Sequence, residues 1–119
     1  MKLFTDGAAR GNPGEAGGGI VLIDGEHTIE HFKYFGIKTN NQSEYLALIE
    51  GLKLAVKQGA KKLDIFMDSQ LVVKQVNGEY KVKNAKMQPL HADVMGFLER
   101  ISVWTITHIK REDNKRADS

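Results

Sequence analysis

The stretch NNQSEYLALIEGLKLAVKQG, residues 40–59, constrains the fold most, because it reads as one helix set between two strand-like segments. Tyr45, Leu48, Ile49, Leu52 and Val56 recur at helical spacing, the leading asparagines offer caps, and Gly59 closes the run. His27 to Phe35 precedes it, and LDIFMD, Leu63 to Asp68, follows as a buried strand. A strand, a helix and a strand in that order predict a parallel pairing.

Lys2 to Thr5 and Gly18 to Asp24 complete an antiparallel meander with His27 to Phe35, and Asp24-Gly25 gives a hairpin signal. After Asp68, SQLVVKQVNG predicts a short helix stopped by Gly78. Residues 88–101 predict an amphipathic helix opened near Pro89, and Val103 to Lys110 a β-branched final strand. The resulting order is βββαβααβ, a mixed α/β arrangement. At 119 residues the expectation is one domain, 1–119, with a single core.

No run approaches the roughly eighteen apolar residues of a membrane helix, and no export signal precedes the first strand, so no membrane partner and a cytoplasmic location are expected. The absence of cysteine removes disulfides, thiolate nucleophiles and cysteine-bound zinc. His27 and His31 form the one close histidine pair, placed in an exposed strand where decoration is the simpler role. Residues 1–60 carry six Lys/Arg against seven Asp/Glu, and residues 61–119 carry eleven against eight. That basic second half is compatible with a solvated surface or with a phosphate-rich partner.

The acidic residues narrow the chemistry. On a helical wheel Glu44 falls on the same side as Leu48, Gly51, Leu52 and Ala55, away from Glu50, Lys53 and Lys57. A first-turn glutamate would be favoured by the helix dipole wherever it pointed, but that does not explain its aim at the core, where an ionised carboxylate needs compensation. Asp6 and Asp68 each end a predicted buried strand. Such aspartates often serve only as turn or cap residues, and Ser69 could cap the following helix without Asp68. Three acids converging at the carboxyl ends of parallel strands are more demanding: like charges repel unless a cation sits among them, and oxygen donors select Mg²⁺ or Mn²⁺.

Four blocks, TDGAARGNPG, TNNQSEYLALIEGL, MDSQLVVKQVNG and HIKREDNKRADS, taken in that order, resemble a type 1 ribonuclease H over essentially the whole chain. The resemblance implies a ribonuclease H-like fold: a mixed five-stranded sheet, with strands 1-2-3 antiparallel and strands 1-4-5 parallel, flanked by helices. It implies an endonuclease that hydrolyses the RNA strand of an RNA/DNA hybrid to 5′-phosphate and 3′-hydroxyl ends, with double-stranded RNA as a further candidate substrate and a monomer as the expected state. Asp6, Glu44, Asp68 and Asp118 take the places of the metal-binding carboxylates, and His108 that of the mobile histidine. Two Mg²⁺ ions, or Mn²⁺ in substitution, would lie roughly 3.5–4 Å apart, Asp6 bridging them. Gly7, Asn12, Thr39, Asn40, Asn41 and Gln70 take the places of substrate-binding residues, Asn12 at the minor groove and Thr39, Asn40 and Asn41 at a DNA phosphate and groove edges.

Two departures from the family pattern stand out. The basic, tryptophan-bearing protrusion is replaced by the brief YKVKNAKMQ, and the single tryptophan, Trp104, lies in a strand where packing is the simpler role. Only Ser119 follows Asp118, leaving that ligand the least anchored of the four. A non-catalytic hybrid- or double-stranded-RNA-binding module is the competing reading, but it would not need four acids that repel phosphate. GNPGEAGGG as a nucleotide cradle lacks the Lys-Ser/Thr ending and the following helix.

Overall fold

The computed structural model describes residues 1–114. Its elements are β1 (Lys2–Gly11), β2 (Gly14–Asp24), β3 (His27–Lys38), α1 (Asn40–Lys57), β4 (Lys62–Met67), α2 (Gln70–Val76), α3 (Gln88–Leu98), β5 (Val103–His108) and a 3₁₀ turn, Arg111–Asn114. The strands form one sheet in the order β3-β2-β1-β4-β5. β1, β2 and β3 pair antiparallel, while β1 with β4 and β4 with β5 pair parallel. The ribonuclease H-like topology implied by the resemblance is the one observed.

Several boundaries differ. β1 runs on through the glycine-rich stretch to Gly11, pairing Gly7 with Gly18 and Gly11 with Gly14, so only Asn12 and Pro13 form the turn. Small residues are poor strand formers alone, but a long antiparallel partner supplies the ladder that propensity does not. α1 is capped by Thr39 rather than by an asparagine: its hydroxyl accepts from Gln42 N–H at 3.1 Å while Gln42 Oε1 accepts from Thr39 N–H at 2.9 Å. Glu44 is therefore the fifth helical residue, in the second turn and not the first. The last helix ends at Leu98 and the last strand at His108, short of the residues 101 and Lys110 that periodicity suggests.

One face of the sheet packs on α1, burying Leu3, Leu22 and Ile65 against Leu48 and Leu52. At Gly51 an added Cβ would lie 3.0 Å from both Leu3 methyl carbons, so glycine sets how closely the helix approaches. α3 and α2 extend the same layer through Val94, Leu98, Val72 and Val76. Tyr45, fully buried, donates to Gln75 Oε1, which ties α1 to α2, and burial pushes its phenol up to about 12. Trp104 packs at the margin of this core. Among the described residues no helix is long and apolar enough to cross a membrane.

Candidate active site

Parallel pairing of β1 with β4 ends at Thr5 opposite Met67, so Asp6 and Asp68 occupy the next position on neighbouring strands. Glu44 reaches the same point from α1. One carboxylate oxygen from each of Asp6, Glu44 and Asp68 falls in a group whose members lie within 4.8 Å of one another. They line a pocket of about 320 Å³ together with Gly7, Ala8, Asn40, Asn41, Ser69 and Arg111.

The helix comes this close because Gly7 has no side chain: a Cβ there would sit 2.1 Å from the Ser43 carbonyl oxygen. In that space Gly7 N–H donates to Glu44 Oε1 at 2.7 Å. Two asparagines complete the attachment. Ala9 N–H donates to Asn40 Oδ1 at 2.9 Å, and Asn40 N–H donates to Asn12 Oδ1 at 3.0 Å. Asn12 and Asn40 thus hold the start of α1 against the β1–β2 hairpin, leaving their amide Nδ2 groups as the donors a substrate could use.

Glu44 is only 9% exposed, and its carboxyl is pushed up to about 8. Burial is the largest cause; the Gly7 N–H opposes it, while the charges of Asp6 and Asp68 add to it. A donor set made wholly of carboxylate oxygens, repelling one another and partly withdrawn from water, matches a hard divalent cation. Asp6, Glu44 and Asp68 are the described residues that would hold it. Asp118 lies outside the described residues.

The other expected residues distribute unevenly. Asn41 lines the carboxylate pocket and also a neighbouring pocket of about 190 Å³, which holds Asn12, Thr39, Gln42, Asn84, Lys86 and Met87. Gln70, the exposed first residue of α2, and His108, exposed opposite Met67 at the end of β5, line neither. Arg111, Asn84 and Lys86 were not picked out from sequence. Arg111 sits inside one quoted block without a motif of its own, and Asn84 and Lys86 belong to the loop that replaces the protrusion. Asn114, 1% exposed, anchors the turn carrying Arg111 by donating to the Thr5 carbonyl at 2.9 Å. A larger concavity, about 400 Å³, lies on the far side of Ala8. It contains no cluster of acids, whereas the smaller one does.

A sheet of this topology with acids gathered where parallel pairing gives out defines the ribonuclease H-like class. The chain belongs to this family: residues 4–119 match the family described as Reverse transcriptase-like. It is 39% identical over 121 residues to a ribonuclease HI of Halobacterium salinarum, covering 100% of this chain and 61% of that protein. Of the Mycobacterium tuberculosis bifunctional protein Rv2228c it spans 33%. The solved N-terminal RNase H domain of Rv2228c superposes with a TM-score of 0.95 at 36% identity, over 98% of this chain and 92% of that one. LC11-RNase H1, solved in complex with an RNA/DNA hybrid, gives a TM-score of 0.91 at 40% identity, over 98% and 90% of the two chains.

Proposed function

We propose that the chain is an endoribonuclease hydrolysing the RNA strand of RNA/DNA hybrids to 5′-phosphate and 3′-hydroxyl ends, dependent on divalent metal. The convergence of Asp6, Glu44 and Asp68 carries this reading; family membership and the hybrid bound by LC11-RNase H1 support it. Divalent ions held there, Mg²⁺ or Mn²⁺ and two to a site, would supply water activation and stabilisation of the leaving 3′-oxygen.

The protein groups divide the remaining work. Asp6 and Asp68 present oxygens from adjacent strands, so their separation is fixed by the sheet. Glu44 is aimed by its bond from Gly7 N–H. Asp118 is assigned as the fourth carboxylate, and His108 as a residue that assists turnover without generating the nucleophile. The start of α1, with Asn40 and Asn41 at the pocket, directs its positive end toward phosphate. Thr39, Asn12 and Asn41, joined by Asn84 and Lys86, form a second polar pocket suited to a phosphate of the uncut DNA strand. Gly7, expected from sequence to admit the substrate backbone, instead makes room for the Ser43 carbonyl of α1 and reaches the pocket only through its main chain, and Gln70 is assigned to a groove contact from the rim. Recognition of this kind is by shape and 2′-hydroxyl rather than by base sequence.

End-labelled RNA/DNA, RNA/RNA and DNA duplexes, incubated with Mg²⁺, Mn²⁺ or chelator, test the proposal. Cutting of the RNA strand of the hybrid, lost in chelator, is expected. Hybrid binding without cleavage under any metal would favour a binding module instead.

A further inference from the structure

The sheet face turned away from α1 carries an unusual row. Asp6 is paired with Gly19, and Gly19 with Phe32; in the next row Ala8 is paired with Gly17, and Gly17 with Tyr34. Cross-strand partners point to the same face, so carboxylate and aromatic ring stand on one surface with only glycine between them, about 10 Å apart at two strand spacings. Lys33, which alternates with the two aromatics, reaches Glu50 of α1 at 2.9 Å, which fixes Phe32 and Tyr34 on the opposite face. Phe32 is 70% and Tyr34 59% exposed. A Cβ at Gly17 would come within 2.6 Å of Phe32 Cζ, so the ring lies across the glycine floor with its other face to solvent.

These residues, with Arg10 and Glu15 closing the far end, line the 400 Å³ concavity, and Ala8 is common to it and to the carboxylate pocket. The trough is continuous with the site. Arg10 adds a cation where a backbone phosphate would pass, offset in part by Glu15.

We propose that Phe32 and Tyr34 form a stacking shelf for unpaired bases of the RNA strand adjoining the hybrid, with Arg10 on the phosphate between them. The inference rests on the enzymatic reading of the carboxylate pocket. Single-stranded RNA is recognised by splaying its bases onto aromatic side chains, and residues two apart on a strand present rings at a spacing that successive bases can match. Hybrids with a protruding RNA end would then be held more tightly than blunt ones.

The test compares a blunt RNA/DNA hybrid with the same hybrid extended by about six RNA nucleotides, and with an extension of abasic sugar-phosphate. The parent is measured against Phe32→Ala/Tyr34→Ala and against Phe32→Leu/Tyr34→Leu, which keeps the strand apolar. For the parent, KM should fall at least about fivefold with the natural extension and little with the abasic one. Both double variants should lose that gain while cutting the blunt hybrid at the parental rate. An equal gain in parent and variants, a gain kept by the abasic extension, or no gain in the parent would overturn the shelf. So would a dimer of the parent that the variants dissolve without any extension effect, since the patch would then cover a second copy. If the parent fails to cut blunt hybrid, the enzymatic reading falls by itself, and binding of the blunt and extended duplexes in chelator decides the shelf separately.

Discussion

Glu44 carries a large electrostatic cost in the described site. In chelator, burial holds its carboxyl near 8 rather than 4.5, so the folded chain favours the protonated form. The stability this gives is complete below pH 4.5 and is lost as the pH rises toward about 8. Glu44→Gln keeps the shape and is neutral throughout. Denaturant unfolding in chelator should show the parent losing stability across this range by up to ~1.4 kcal/mol per pH unit, and the variant losing much less. Equal profiles would mean that the carboxyl is not raised. The variant should nevertheless be inactive, since a ligand charge is gone. His108, exposed at a strand end and outside the pocket lining, should matter less: His108→Ala should slow turnover without stopping it, as read from kcat under saturating hybrid. Complete loss would make it an essential base.

At the scale of elements, the site depends on how closely α1 meets β1. Gly7→Ala would force the Ser43 carbonyl, now 2.1 Å from the added Cβ, to move with the backbone that carries Glu44. A loss of about 3 kcal/mol or more in unfolding free energy, with loss of cleavage, is expected; parental stability would show that the contact relaxes freely. Asn12 and Asn40 make the same point from the other side. Sequence places them at the substrate, but their Oδ1 atoms are already bonded to backbone N–H groups that fix the helix start. Such a commitment cannot be read from residue type, because asparagine serves either purpose equally well. The course of β1 through AARG was hidden for a similar reason: weak strand formers become strand when β2 lies alongside.

Across the whole molecule, the order of elements and the meeting of Asp6 with Asp68 were legible because hydrophobic period and an acid closing an apolar run are local signals, although Asp6 lies inside β1 and not at its end. Glu44's inward aim was legible from helical phase. Arg111, Asn84 and Lys86 were not, since long-range packing brings them to the pockets and nothing beside them in sequence marks it. The trough beneath Phe32 and Tyr34 was equally hidden, because it depends on the register of three strands. At the centre of these features is a carboxylate cluster in which the charges of Asp6 and Asp68 oppose ionisation of Glu44.

The most direct measurement is cleavage of an end-labelled RNA/DNA hybrid by Asp6→Asn beside the parent, with hybrid binding and thermal unfolding followed on the same samples. The substitution removes charge from the carboxylate that β1 contributes to the cluster while hardly changing volume. The account predicts that the parent cuts the RNA strand only with divalent metal, and that the variant binds hybrid and unfolds no more readily than the parent but does not cut. Cleavage by the variant at more than about a few per cent of the parental rate, where loss of a group required in the transition state should cost ~100-fold or more, would contradict it.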